Sequence, residues 1–363
     1  MPRDVSPRDV FVSGRVCLLG EHSDWAGTLA NARSPGRCLV VGTREGLHAK
    51  CDYGADAYAF TMSAIDSSGR RATFACDLRD RERLSDEARA GGFWSYVCGT
   101  VLEVLDAYGD GEGCDYFRRG VAVRNYSTTL PTKKGLSSSA AVCVLIARCF
   151  NELYSLGMST TDEMALAYRG ESARTPSACG AMDQACAFGG GRAVVLTFDK
   201  GGSMDVREVE CAGDICVLVG DLGRAKDTVT ILASLQSAFK AGHEGALEAF
   251  GPKNEALITR ALDAIKKSDA QALGVVYTDA QRVFDSVGRE LCPSELDAPA
   301  LHAVLEDEKC RALSYGGKGV GSQGDGCVQF VCKSSAAADE LEAYLKTAYP
   351  AMGTFLRVTL GAR

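Results

Sequence analysis

The chain has 363 residues, 46% of them hydrophobic and 24% charged, with a formal net charge of −7 and a pI near 5.3. This is the composition of a globular protein, long enough for two domains and a buried cleft rather than a disordered or fibrous chain. The acidic balance, with no dense Lys/Arg run, argues against a nucleic-acid partner, and no apolar run approaches the roughly 20 residues of a membrane span.

In chain order, Val10 to Leu19 reads as a strand interrupted by Gly14, and Arg37 to Val41 as a second strand. Over 92–108 the residues Phe93, Trp94, Val97, Val101, Leu105 and Tyr108 recur at helical spacing. Val121 to Tyr126 is an expected strand, and Leu136 to Leu156 a long apolar helix after a Gly/Ser turn. Residues 192–198 and 215–220 are apolar runs of strand length, with Lys200-Gly-Gly between them. Beyond these, Leu232 to Val287 is mainly helical in period and Ala298 to Leu313 is a further helix. Strands at Cys327 to Cys332 and Phe355 to Leu360 flank a helix at 335–347. This mixed order lacks regular βαβ alternation, so the expected class is α+β, with domains 1–204 and 205–363.

The sixteen cysteines include no Cys-x-x-Cys pair, and neighbours such as Cys211 and Cys216 are five apart, which is not zinc-site spacing. They read as small buried apolar residues. The start, Met1-Pro-Arg-Asp-Val-Ser-Pro-Arg, has no apolar core of the kind a secretory signal needs, so a cytoplasmic location with reduced thiols is expected.

Three polar segments stand out. Leu130-Pro-Thr-Lys-Lys-Gly-Leu-Ser-Ser-Ser-Ala-Ala opens the long helix with three hydroxyls after two lysines. A helix start leaves about four N–H groups unpaired and carries about half a positive charge, so it suits phosphate oxygens. The same segment also reads as a capped core helix. It is not a Walker loop, since no Gly-x-x-x-x-Gly-Lys-Ser/Thr occurs in the chain. Near the start, Arg15, Glu21, His22 and Asp24 crowd one strand end and the turn after it, which suits a polyhydroxylated ligand or simply a solvated turn. In the middle, Glu171 and Asp183 bracket a Pro/Gly/Ser-rich turn; one could hold magnesium while the other accepts a proton, or both could be surface acids.

Together and in this order, the segments resemble the three-motif pattern of the GHMP kinases. Gly14 to Gly27 is similar to the galactokinase signature G-R-V-N-L-I-G-E-H-T-D-Y, with Cys17, Ser23 and Trp25 as the main departures. Pro131 to Ala141 resembles P-x-x-x-G-L-S-S-S-A, and Cys179 to Gln184 resembles C-G-I-M-D-Q around the catalytic aspartate. A looser counterpart of the family's terminal glycine loop is Tyr315-Gly-Gly-Lys-Gly-Val-Gly-Ser-Gln-Gly-Asp-Gly, extended by Gln323, Gly324 and Asp325.

The resemblance implies a two-domain GHMP kinase fold, with an N-terminal mixed α/β domain and a C-terminal ferredoxin-like α+β domain. It implies an ATP-dependent sugar kinase acting on a free monosaccharide such as galactose, at the anomeric hydroxyl. By matching positions, Asp183 is the catalytic base and Arg15 its charge-stabilising partner. Glu21, His22 and Asp24 contact sugar hydroxyls. Lys134, Gly135, Leu136, Ser137, Ser138, Ser139 and Ala140 hold ATP phosphates, and Ser139 and Glu171 ligate Mg2+. Lys226 could also approach the nucleotide or the sugar, though a role away from the site is the leading reading. The partners expected are the small-molecule sugar and MgATP, with neither nucleic acid nor membrane. A non-sugar alcohol such as mevalonate and a non-catalytic sugar sensor are the alternatives. Asp24 and the Met-Asp-Gln run favour the sugar, and the intact Ser137 to Ser139, Glu171 and Asp183 favour turnover.

Overall fold

The computed structural model describes residues 6–65, 69–109, 114–130, 137–177 and 179–361. They form two compact units, one of Thr43–Gly190 with the segment up to Arg15, the other of Val16–Gly42 with Gly191–Arg363. The units do not follow a linear division at residue 204, because residues 16–42 group with the C-terminal part. Residue 204 itself opens a strand that pairs back onto the strand before it. Strand β1 (Arg8–Leu19) runs unbroken through Gly14 and pairs with β2 (Gly36–Asp52).

In the first unit the second half of β2 pairs antiparallel with β5 (Val121–Thr128). β5 lies parallel to β3 (Ala59–Ile65), and β3 pairs antiparallel with β4 (Arg71–Asp77). Along β5 the side chains alternate, with Val121, Val123 and Asn125 buried and Arg124 and Tyr126 exposed, as for a sheet with one covered face. Helices α2 (Arg81–Ala90), α3 (Phe93–Tyr108), α4 (Ser138–Tyr154) and α5 (Thr160–Ser172) pack on one another. α4 is buried almost all round from Ala140 to Phe150, the mark of a core helix rather than an amphipathic surface one. α5 starts at a reciprocal capping box, in which the Ser159 hydroxyl accepts from the Asp162 N–H and the Asp162 carboxylate accepts from the Ser159 N–H.

The second unit contains a four-stranded antiparallel sheet of β8 (Ile215–Asp221), β9 (Ser314–Gly319), β10 (Cys327–Cys332) and β11 (Phe355–Leu360) in the order β11-β8-β10-β9. A helical segment separates β8 from β9, and α13 (Ser335–Ala348) separates β10 from β11; with that strand order this is the expected ferredoxin-like arrangement. In the same unit the first half of β2 pairs with β6 (Ala193–Phe198), which pairs with β7 (Met204–Val209). Helices α6 (Thr228–Lys240), α7 (Glu244–Phe250), α8 (Pro252–Lys266) and α9 (Ala270–Leu291) follow β8. Their apolar core of Ile231, Leu235, Phe239, Phe250, Phe284 and Val287 also takes in Ala26 and Trp25 from the four-residue helix α1 (Ser23–Ala26).

Two expectations need correction. The helix expected over Ala298 to Leu313 is two helices, α11 (Pro299–Glu306) and α12 (Glu308–Leu313). Asp307 breaks it by taking an extended backbone and capping α12 with its carboxylate, which accepts from the Cys310 N–H at 3.0 Å. The terminal glycine segment is not all loop, because Ser314–Gly319 forms β9. Its glycines serve packing. A Cβ on Gly316 would lie 2.0 Å from the Gly274 carbonyl oxygen on α9, and one on Gly317 would lie 2.6 Å from the Phe330 ring.

Candidate active site

In the first unit, four elements bring expected catalytic residues together. α3 and α5 cross at glycines: a Cβ on Gly99 would lie 2.3 Å from the Gly170 carbonyl oxygen, and one on Gly170 would lie 2.7 Å from the Thr100 Cα. That close approach seats the next residue, Glu171, in the interior, at 1% exposure. Its carboxylate accepts from Gln184 Nε2 at 2.8 Å and from Ser177 Oγ at 3.3 Å, and it is hydrogen-bonded to the Ser139 hydroxyl. Burial, opposed by these hydrogen bonds and reinforced by the nearby Asp183 charge, raises its pKa above the ordinary carboxylate value. Among the described residues no Lys or Arg is bonded to it.

Asp183 begins a short 3₁₀ turn, Asp183–Phe188, and its carboxylate forms an ion pair with the Arg15 guanidinium from β1. The Arg15 side chain is 6% exposed and that of Asp183 24%, so the carboxylate is the member a small molecule can reach. The turn is braced from both sides. Arg148 of α4 donates to the Phe11 carbonyl on β1 at 2.9 Å and to the Ala187 carbonyl in the turn at 2.7 Å, and it is held by Glu163 at 2.8 Å. Ser13 Oγ donates to the Cys186 carbonyl at 2.9 Å. Arg148 and Ser13 position the turn, and nothing in their sequence surroundings marks them for this.

At the start of α4, Ser137 holds a left-handed backbone (φ 58°), a conformation uncommon for a residue with a Cβ, and its buried hydroxyl has no hydrogen-bond partner among the described residues. Ser138 and Ser139 are half-buried and Ala140 is buried in the first turn. Lys134, Gly135 and Leu136 lie outside the described residues.

The donor chemistry of this unit fits a hard divalent cation. Ser139 and Glu171 offer oxygen ligands only, and Glu171 is a buried carboxylate that has no basic partner among the described residues. No group of three or more His, Cys, Asp or Glu side chains suited to a metal occurs among the described residues. Magnesium does not need one, because it commonly takes one or two carboxylates together with substrate phosphates.

In the second unit, Glu21, His22 and Asp24 occupy the turn into α1. Gly20 takes φ +93°, and a Cβ there would lie 2.1 Å from the Arg37 carbonyl oxygen, so the turn presses onto β2. Ser23 Oγ donates to the Phe250 carbonyl at 2.9 Å and accepts from Asn254 Nδ2 at 3.0 Å, tying the turn to α7 and α8. The His22 ring stacks on Phe284 and packs on Phe250, each with ring centroids 5.6 Å away. Burial, then the charges of Lys226 and Lys318, depress its pKa to about 3, so the imidazole is neutral at pH 7. Glu21 is buried and pairs with Lys318, with Nζ 2.5 Å from Oε1. Asp24 is half-buried. Lys226 Nζ donates to the Gln323 carbonyl at 2.8 Å and more weakly to that of Val320 at 3.4 Å, and burial lowers its pKa. Lys318 escaped sequence reasoning. It lies within the glycine segment Tyr315 to Gly326, where nothing in the local pattern marks it.

Residues 95–191 match the family described as GHMP kinases N terminal domain. Over this span the chain is similar to the N-terminal domain of the GHMP kinases. The chain is 26% identical over 293 residues to a galactokinase of Mannheimia succiniciproducens, covering 78% of this chain and 69% of that one. It is 29% identical over 243 residues to a mevalonate kinase of Aeropyrum pernix, covering 63% of this chain and 69% of that one. In fold it resembles the Lactococcus lactis galactokinase complexed with galactose, with a TM-score of 0.69 at 17% identity, over 98% of this chain and 94% of that one. The GHMP kinases, whose N-terminal domain matches residues 95–191, use ATP. No helix among the described residues is long and apolar enough to cross a membrane.

Proposed function

We propose that this chain is a GHMP kinase that transfers the γ-phosphoryl group of ATP to a hydroxyl, the anomeric one, of a free monosaccharide such as galactose. The observation that carries the reading is the Arg15–Asp183 ion pair in the same unit as the buried, hydrogen-bonded Glu171 and Ser139. Phosphoryl transfer asks for in-line placement and charge neutralisation rather than covalent help, and these residue types supply both.

In this mechanism the α4 N-terminus, with its unpaired N–H groups and the Ser137 hydroxyl, binds phosphate oxygens. Ser139 and Glu171 hold magnesium, which when bound neutralises phosphate charge. Asp183 accepts the proton of the attacking hydroxyl. Arg15 keeps that carboxylate oriented and stabilises the negative charge nearby. Glu21, His22 and Asp24 read sugar hydroxyls. Neutral His22 serves there as a hydrogen-bonding group and not as a cation.

The test is calorimetric titration of galactose and of a non-hydrolysable ATP analogue into wild type and Asp24→Ala. Asp24→Ala should weaken sugar binding by roughly 10- to 100-fold, with nucleotide binding close to normal, since hydrogen bonds to a charged group are worth about 1.5–3 kcal/mol each. If mevalonate binds the wild type and no monosaccharide does, the sugar reading fails and the mevalonate kinase likeness takes its place.

A further inference from the structure

We infer that Lys318 is a positioning residue for substrate recognition, acting through Glu21. This rests on the sugar reading above and adds to it a residue on β9, within the glycine segment that resembles the family's terminal loop only loosely.

Along a strand, side chains alternate, so Gly316 and Lys318 share the β9 face that meets α9. On α9 the residues Gly274, Tyr277 and Gln281 recur at helical spacing along one side. Gly316 sits flush on Gly274, which brings the strand backbone against the helix. Further along the helix, the Gln281 side-chain Oε1 accepts the Gly319 N–H at 2.8 Å and fixes the end of the strand. Between these two anchors the Lys318 stem passes the Tyr277 ring, with Nζ 5.9 Å from its centroid. Tyr277 is itself held, its hydroxyl donating to Gln329 Oε1 at 3.2 Å. The ammonium then donates to Glu21 Oε1 at 2.5 Å and to the Gly319 carbonyl at 2.7 Å.

The consequence falls on Glu21. One carboxylate oxygen is taken by a lysine that is 2% exposed and has no freedom to move away. The other, Oε2, accepts no hydrogen bond among the described residues and is not sealed from solvent. Lys318 therefore fixes the carboxylate plane and leaves Oε2 as the single acceptor presented outward. A binding residue is only as selective as the shell that locks its rotamer, and here that shell is the β9 lysine. Glu21 accordingly reads one hydroxyl in one direction, and Lys318 sets which one.

The experiment measures galactose and its mono-deoxy analogues binding to wild type and Lys318→Met by calorimetry, with a non-hydrolysable ATP analogue and the thermal midpoint as controls. In wild type, the analogue lacking the hydroxyl read by Glu21 should bind about 10- to 100-fold more weakly than galactose. In Lys318→Met that ratio should fall to within about twofold, while the ratios for the other analogues and the nucleotide affinity hold. A purely structural role would lower all affinities together and leave the ratios unchanged. Should Lys318→Met not fold, Glu21→Gln is compared with Glu21→Gln/Lys318→Met, which removes both buried charges. Matching deoxy profiles in that pair support action through Glu21, and differing profiles overturn it. If wild type binds galactose and Lys318→Met keeps the wild-type profile, the positioning role falls and the sugar reading stands. If wild type binds no monosaccharide, the sugar reading itself falls and this inference with it.

Discussion

Replacing Lys318 with Met leaves the Glu21 carboxylate buried without its counter-ion. The two side chains are 2% and 5% exposed with N···O at 2.5 Å, so solvent screens the pair little and neither charge can relax into water. Breaking one side of such a pair is worth about 3–5 kcal/mol, mostly as an uncompensated buried charge. With a urea m-value of about 2–3 kcal/mol per molar, the unfolding midpoint should fall by roughly 1–2 M. The second perturbation, Glu21→Gln/Lys318→Met, removes both charges and should recover most of the loss. Urea titration followed by fluorescence reads this, because Trp25 lies against the helical core of the same unit and responds to its unfolding. If the double variant is no more stable than Lys318→Met alone, the two residues are not coupled and the ion-pair argument is wrong.

Asp183→Asn should reduce kcat by about 10²- to 10⁴-fold with little change in the KM for ATP; steady-state kinetics showing near-normal turnover would remove Asp183 from the proton transfer. Ser139→Ala should raise the magnesium concentration needed for half-maximal activity while the thermal midpoint stays near wild type, and an unchanged magnesium titration would sink the ligand assignment. The folded His22 pKa of about 3 lies below its ordinary 6.5, so the unfolded chain binds the extra proton between those values. Its contribution is therefore fully present above about pH 6.5 and is lost as pH falls, by up to about 1.4 kcal/mol per unit. Denaturation of wild type and His22→Gln across pH 4 to 7 should show that slope in the difference between them, and parallel curves would refute the buried neutral imidazole.

Much of the fold was legible because the central elements carry strong period. The apolar stripe of α3 and the continuous burial of α4 gave their helices to within a few residues, and β8, β10 and β11 were plain as apolar runs. β4 and β7 were not legible. Most of their side chains are exposed, so no alternation separates them from loop, and they exist through pairing with β3 and β6. The break at Asp307 was hidden because a capping aspartate inside a helical period looks like an ordinary polar position until its backbone is known. At the candidate site, Arg15, Glu171 and Asp183 were picked out through the resemblance to the GHMP kinase motifs, since their spacing alone left surface acids and a solvated turn open. Lys318 lies 297 residues from Glu21, and a pair so distant in sequence leaves no local pattern to read.

Where Gly316 meets Gly274, main-chain atoms of α9 and β9 lie against one another, with the Tyr315 Cβ and the Thr278 hydroxyl at the edge of the contact. The separation of the two elements is therefore set by main-chain atoms, which no substitution can trim and any substitution at either position would wedge apart. Variation that alters what the neighbouring lysine does must consequently arise in the side chains around it, Lys318, Glu21, Tyr277 and Gln281, while the rail carrying the lysine stays at a fixed height. A redesign of ligand choice has its adjustable parts and its immovable ones on the same six-residue strand.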